Sequence, residues 1–312
     1  TSRKEGDKFN ILSGFFEGKT TGTPLCATIE NKDTKSKDYA SVKTAMRPGH
    51  SDYSGYVKYS GYNDYRGSGH FSGRITAPLL FAGTIAMQIL EKYKGVIIGT
   101  RIKSIYNIND DSEMKMSSHE LNELKKKNFP VLSDLQGILM EQEILKAKEN
   151  GDSVGGITET FILGVSAGYG EPFFDSVETK LSHMIFSIPA VKGIEFGEGF
   201  KVTEMKGSAA NDQYYMDDGK ILAHSNNNGG ILGGITNGMP IVFRTAIKPT
   251  PSISKTQNTV DISTMTNKTI QVEGRHDPCI VPRAVPVIEG AAALVVLDLM
   301  LEREGEVWNL MK

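Results

Sequence analysis

The sequence predicts an α+β protein in which helices cover antiparallel β-sheets. Three observations lead there. Alternating strand-like runs and longer helical runs follow one another in mixed order, without the regular βαβ period that a doubly wound sheet would impose. Of 312 residues 39% are apolar and 23% charged, the balance of a folded chain with a sizeable core. No internal repeat or Pro/Ser-rich linker divides residues 1–312, which therefore read as one domain.

The elements follow in order. Phe9-Asn-Ile-Leu-Ser-Gly14 opens as a strand, and Gly14, Gly18 and Gly22 break residues 9–31 into short strands in which Leu25, Ala27 and Ile29 share a face. Residues 77–93 read as a helix with Leu80, Thr84, Met87 and Glu91 on one side, and residues 96–98 as a strand. Ser117-Ser-His-Glu120 and Ser133-Asp-Leu-Gln136 each match the capping box, in which a serine hydroxyl takes up a backbone N–H at a helix start; the second helix runs to Asn150-Gly151, a left-handed stop. Residues 156–167 are strand-like, 174–187 helical and 194–204 strand-like. A polar loop over 207–220 and the run Gly229-Gly-Ile-Leu-Gly-Gly234 then lead to a strand over 241–247, with Ile241, Phe243 and Ile247 on one face. Residues 285–302 form a helix that is apolar nearly all round, so it needs cover on several sides.

Composition excludes several roles. A net charge of −2 gives no global attraction to nucleic acid, although residues 53–74 mix aromatics, glycine and base in the loose manner of a single-strand binder. Cys26 and Cys279 lie far apart with no Cys/His spacing, so neither a disulfide framework nor a metal site is expected and a reducing cytoplasm fits. No uninterrupted apolar run approaches about eighteen residues, and Thr1-Ser-Arg-Lys-Glu carries no signal region, so no membrane association is expected. The chain starts without methionine and almost directly in a strand, which suggests a missing N-terminal piece.

Four segments carry chemistry. In Arg47-Pro-Gly-His50-Ser-Asp52 a Pro-Gly turn sets an imidazole on a loop between Arg47 and Asp52, an arrangement suited to proton transfer beside an anion, or simply a surface histidine. Gly67-Ser-Gly-His-Phe-Ser-Gly73 misses the dinucleotide glycine spacing, yet it precedes a helix start where backbone N–H groups, Ser72 and Arg74 can cradle an anion; a plain cap by Ser72 is the alternative. Gly229–Gly234 turns allow a flat ligand close to backbone, and Lys248-Pro-Thr-Pro-Ser252 adds a cation and hydroxyls after a strand, against the alternative of a turn with no ligand. In Gly274-Arg-His-Asp-Pro-Cys279, Arg275 can hold a carboxylate or phosphate and Asp277 can act as a base, or the two can form a structural pair.

Taken in order, Ile11-Leu-Ser-Gly14, Thr20-Thr-Gly-Thr23, Arg47-Pro-Gly-His50, Asp64-Tyr-Arg-Gly67, Phe71-Ser-Gly-Arg74, Gly151-Asp-Ser-Val-Gly-Gly156, Ser187-Ile-Pro-Ala-Val-Lys-Gly193, Ser225-Asn-Asn, Gly229-Gly-Ile-Leu-Gly-Gly234, Lys248-Pro-Thr-Pro-Ser252 and Gly274-Arg-His-Asp-Pro-Cys279 resemble the chorismate synthase family through nearly the whole chain. That resemblance implies a lyase that removes phosphate from 5-enolpyruvylshikimate 3-phosphate by anti-1,4 elimination, using reduced FMN (FMNH2) without net redox change, in a homotetramer whose chains have helices sandwiched between antiparallel β-sheets. It implies catalytic roles for His50, as a proton donor to flavin, and Asp277, which assists deprotonation there. It implies substrate contacts at Arg47, Arg74 and Arg275 and, near the chain start, Arg3 and Lys4. It implies flavin contacts at His70, Phe71, Ser72, Gly233, Lys248, Pro249, Thr250, Pro251, Ser252 and again Arg275. No insertion suggests a nicotinamide module, so NADP is expected at most as an outside source of reductant. The family's N-terminal Gly-x-Ser-His-Gly motif has no counterpart here; roughly fifty residues are expected to be missing, and a form without them to be impaired. A flavin- or phosphate-binding protein without catalysis is the competing class.

Overall fold

A computed structural model describes residues 6–31, 43–115, 117–272 and 276–307. Strands β1 (Phe9–Ser13) and β2 (Cys26–Ile29) pair antiparallel, with Leu25, Ala27 and Ile29 turned inward as their alternation requires. After the short helix α1 (Asp52–Lys58) comes α2 (Thr76–Ile89), which ends through a π turn at Gly95. The remainder runs β3 (Ile97–Ile105), β4 (Ile108–Asn109), α3 (Ser118–Lys125), α4 (Asp134–Glu149), β5 (Gly156–Leu163), α5 (Val177–Phe186), β6 (Val191–Phe196), β7 (Ile241–Ile247), the hairpin β8 (Gln257–Asp261) and β9 (Thr266–Ile270), and α6 (Val281–Val307).

Five strands form one sheet in the order β4-β3-β5-β7-β6, and each neighbour is antiparallel. Strand alternation gives it two faces. On one, Ile98, Ile102, Ile162, Ile241 and Phe243 meet Ile288, Ala292, Val295 and Val296 of α6 in the main core. Helix α2 packs on α6, and β1–β2 packs on α2, where the Phe9 and Phe81 rings lie 5.0 Å apart. Helices therefore lie between the large sheet and a smaller ladder. The α2–α6 crossing is close: a Cβ at Gly83 would lie 2.4 Å from the Cα of Gly290. On the opposite face, Phe161, Leu163 and Val242 pack against Leu121 and Leu124 of α3. Beside them a cross-strand row, Arg101–Glu159–Arg244–Glu195, is paired in register, with Arg101 Nε 2.7 Å from Glu159 and Arg244 Nε 2.6 Å from Glu195.

The caps behave as their sequences dictate: Ser117 Oγ accepts from the N–H of Glu120 and Ser133 Oγ from that of Gln136. Several expected boundaries shift: the strand expected over 96–98 runs on to Ile105, and the one expected over 156–167 ends at Leu163. Strand β6 stops at Phe196, because Gly197 and Gly199 take φ of 56° and 58° and the chain turns into a 3-10 helix over Gly199–Glu204. Helix α5 starts only at Val177, where Ser176 Oγ caps the N–H of Thr179. Helix α6 starts at Val281 and tolerates Pro286 near its beginning, where a missing N–H costs at most one intrahelical bond. By length and composition both Gly73–Lys94 and Val281–Glu306 could cross a membrane; 67% of the latter's apolar window is buried inside the protein, and packing on the sheet accounts for its composition.

Candidate active site

The segment before His50 is held by β-pairing. Met46 N–H donates to Val260 O at 3.4 Å and Ile262 N–H to Thr44 O at 3.1 Å, while Thr259 Oγ1 donates to Met46 O, so residues 44–46 lie along β8 as an added strand. Asp261 secures it, its carboxylate accepting from Thr44 Oγ1 (3.2 Å), Ser263 Oγ (2.6 Å) and Lys268 Nζ (3.2 Å). Hydrogen bonds from Ser263 and then Lys268 and Thr44 hold this carboxyl well below the usual range. Arg47 emerges from that strand; Gly49, at φ 70°, supplies the turn the sequence suggests, and α1 begins at Asp52.

Arg47 is only 6% exposed and is the hub. Its Nε donates to Asp52 Oδ2 at 2.7 Å and its Nη2 to Asp52 Oδ1 at 2.8 Å, a two-pronged grip completed by the Arg47 N–H at 3.0 Å. Nη2 also donates to Ser68 Oγ (3.1 Å) and Nη1 to Ser252 Oγ (3.3 Å). His50 Nδ1 lies 2.7 Å from Asp52 Oδ1 and 3.2 Å from Arg47 Nη2. Burial pushes the Asp52 carboxyl up, but hydrogen bonds from Arg47 and His50, reinforced by their charge, outweigh it and keep the group ionised far below its ordinary value.

Ser68 and Ser252 come from two of the other segments. Ser68 sits at φ 68° in the 3-10 turn Arg66–Phe71, a left-handed conformation unusual for serine and held by the bond from Arg47. In the same turn Phe71 lies on Gly55 of α1, where any Cβ would meet its ring at 2.7 Å, and His70 is exposed. Ser72 Oγ accepts from the N–H of Arg74, so the cap expected of Ser72 is present, on a 3-10 turn preceding α2; Arg74 Nη2 lies 3.3 Å from Asp7. Lys248 Nζ donates to Gly49 O at 2.5 Å, and its N–H donates to the carbonyl of Ala190, itself left-handed at φ 74°.

The Asp277 loop joins through residues 151–154. Ser153 Oγ donates to Thr250 O at 2.7 Å and Val154 N–H to Pro278 O at 2.8 Å. Asp277 forms an ion pair with Arg283 of α6. Neighbouring Cys279 is no nucleophile: burial pushes its thiol up to about 11. Arg3, Lys4 and Arg275 lie outside the described residues. Gly233 is not brought to this cluster. Gly229 accepts from Val242 N–H, and the 229–234 turn lies at the Ile241 end of β7, roughly 20 Å along the strand from Lys248.

A family model described as chorismate synthase matches residues 1–301. The chain belongs to the chorismate synthase family. It is similar to the curated chorismate synthases of Pyrococcus abyssi, 49% identical over 99% of this chain and 85% of the relative, and of Thermococcus kodakarensis, 45% identical over 98% and 84%. A crystal structure of chorismate synthase superposes with a TM-score of 0.73 at 29% identity, covering 95% of this chain and 79% of that one. Family membership makes the chain a lyase of the shikimate pathway whose reaction converts 5-enolpyruvylshikimate 3-phosphate to chorismate, in a family that generally depends on flavin.

Sequence reasoning missed Ser68, Ala190, Asp261 and Arg283. A non-glycine residue at positive φ has no local signature, Asp261 acts through a partner distant in sequence, and Arg283 lies in a helix turn ahead of the expected helix start at residue 285. Asp52 was visible as a flank of His50, but its pairing with Arg47 was not.

Proposed function

We propose that His50, Asp277 and residues 248–252 line one cleft for reduced FMN and 5-enolpyruvylshikimate 3-phosphate. One observation carries this reading: an unbroken set of contacts runs from His50 through Asp52 and Arg47 to Ser252, then from Thr250 through Ser153 and Val154 to Pro278 beside Asp277. The fit to flavin rests on Thr250 Oγ1, which is buried and has no hydrogen-bond partner among the described residues. A buried hydroxyl left in that state costs roughly 1–3 kcal/mol, which a polar ligand edge would recover. Lys248, Thr250 and Ser252 would hold the polar rim of the flavin, with His70, Phe71 and Ser72 on its other side. When bound, reduced FMN supplies an electron that is returned, so the elimination has no net redox change.

The chain's own groups do the rest. His50 holds a proton at its ring edge, and Asp277, fixed by Arg283, takes one up. Arg74 and Arg275 balance the charge of two carboxylates and a phosphate, and each well-aimed donor on the departing phosphate is worth roughly 3–4 kcal/mol in the transition state. Arg47 serves the same end by anchoring the loop. Gly233 joins the site from a second copy, consistent with a cytoplasmic homotetramer in which each chain is one domain; external reductant, rather than NADP bound by this chain, reduces the flavin.

Equilibrium titration of FMN checks the cleft. Thr250→Val should weaken binding, and His50→Ala should bind FMN as wild type does while losing most anaerobic turnover. Wild-type FMN affinity in Thr250→Val and Lys248→Ala together would remove residues 248–252 from the site.

A further inference from the structure

The contact between His50 and Asp52 specifies which ring nitrogen carries the proton. Asp52 Oδ1 approaches His50 Nδ1 to 2.7 Å, with the two side chains 13% and 12% exposed. At that distance a carboxylate lone pair cannot face a bare nitrogen lone pair; one of the two atoms must carry hydrogen. It is not the carboxyl, since both Asp52 oxygens already accept from the Arg47 guanidinium, at 2.7 and 2.8 Å. The proton is therefore on Nδ1. Arg47 Nη2, 3.2 Å from the same nitrogen, then makes no hydrogen bond to it and spends its hydrogens on Asp52 and Ser68.

We propose that Asp52 is a positioning residue that holds His50 in the Nδ1–H form with a fixed ring orientation, leaving Nε2 as the only ring atom that exchanges a proton in the reaction. Arg47 fixes Asp52 through three hydrogen bonds and ties it to Ser252, so the imidazole is referenced to residues 248–252 as well as to its own half-buried loop. The carboxylate orients the ring and does not itself move a proton, the role played by a buried aspartate beside a catalytic histidine in hydrolases. The effect on turnover rests on the reading of His50 as proton carrier; the tautomer is a property of the chain without ligand.

Magic-angle-spinning 15N spectra of the full-length protein, ring-labelled at its histidines and assigned with His50→Gln, read the tautomer directly above the pH at which the ring is neutral. Wild type should show a protonated Nδ1 and a bare Nε2. In Asp52→Asn the Nε2–H form should appear, and anaerobic kcat should fall by about 10²–10⁴-fold with substrate KM changed only a few-fold. Wild-type His50 in the Nε2–H form overturns the proposal, and that measurement stands even if Asp52→Asn fails to fold. An unchanged tautomer in Asp52→Asn overturns it as well, as does a changed tautomer with wild-type kcat while His50→Ala is inactive. Full turnover by His50→Ala would instead remove the reading on which the kinetic effect depends.

Discussion

Adding one methyl group at Gly83 should displace the two helices that follow the segments proposed as opposite walls of the cleft. Helix α2 is preceded by the turn that bears His70, Phe71 and Ser72, and α6 is preceded by the Asp277 loop. Where they cross, a Cβ at position 83 would sit 2.4 Å from Gly290 Cα and 2.5 Å from Gly290 O, both backbone atoms that cannot swing aside. Ordinary carbon contacts lie near 3.5–4.0 Å, so the helices must part by roughly 1 Å. Overpacking of this kind costs about 1–3 kcal/mol, while replacing a helical glycine by alanine returns about 1 kcal/mol of propensity. Gly83→Ala should therefore be destabilised by up to about 2 kcal/mol, and more tellingly should lose turnover beyond its loss of folded protein. The crossing is asymmetric: a Cβ at Gly290 would meet nothing nearer than 3.4 Å. Gly290→Ala should be neutral or stabilised by up to about 1 kcal/mol. Urea midpoints and anaerobic turnover of both variants decide the matter. A Gly83→Ala protein as stable and active as wild type, or a Gly290→Ala protein the worse of the two, would refute the reasoning.

Three further outcomes follow from other sites. Glu289 on α6 is buried against the sheet and accepts the N–H of Thr100 at 2.7 Å; burial pushes its carboxyl up to about 7 from the ordinary 4.5. Since the folded pKa is raised, the stability tied to this group is complete below pH 4.5 and is lost as pH rises through 7, a difference on the order of 3 kcal/mol. Glu289→Gln, which can still accept from Thr100, should be the more stable protein at pH 8 and flatten that part of the pH profile; urea midpoints across pH 4.5–8 measure it, and an unchanged slope would count against it. Asp261→Ala should loosen residues 44–46 from β8 and weaken FMN binding roughly tenfold, as for one lost charge-assisted hydrogen bond; unchanged affinity by titration would confine Asp261 to the hairpin. Asp277→Asn should keep FMN affinity and slow turnover by about 10²-fold or more, and a wild-type rate would assign Asp277 to its ion pair with Arg283 alone.

Much of the fold was legible because it rests on local rules. The capping serines at 117 and 133, the glycine stop at 151 and the alternation over Ile241–Ile247 each specify structure within a few residues, and the all-round apolar character of α6 does reflect cover by sheet and helices. Boundaries failed where a positive φ ended an element without a sequence rule strong enough to say so, as at Gly197. For the site, the sequence exposed the chemically rich loops but not their mutual distances. It could not place Gly233 at the far end of β7, nor show that Arg47 is engaged by Asp52, Ser68 and Ser252 rather than held open for an anion. Those are long-range pairings, and composition carries no record of them.

The most direct test is anaerobic: the full-length gene product is mixed with prereduced FMN and 5-enolpyruvylshikimate 3-phosphate, and phosphate and chorismate are followed together with the flavin spectrum. Equal release of both products over many turnovers, with the flavin reduced at the end and turnover abolished in His50→Ala, is the expected result. FMN bound tightly with no phosphate released, or product formed at the wild-type rate without His50, would contradict the site described here.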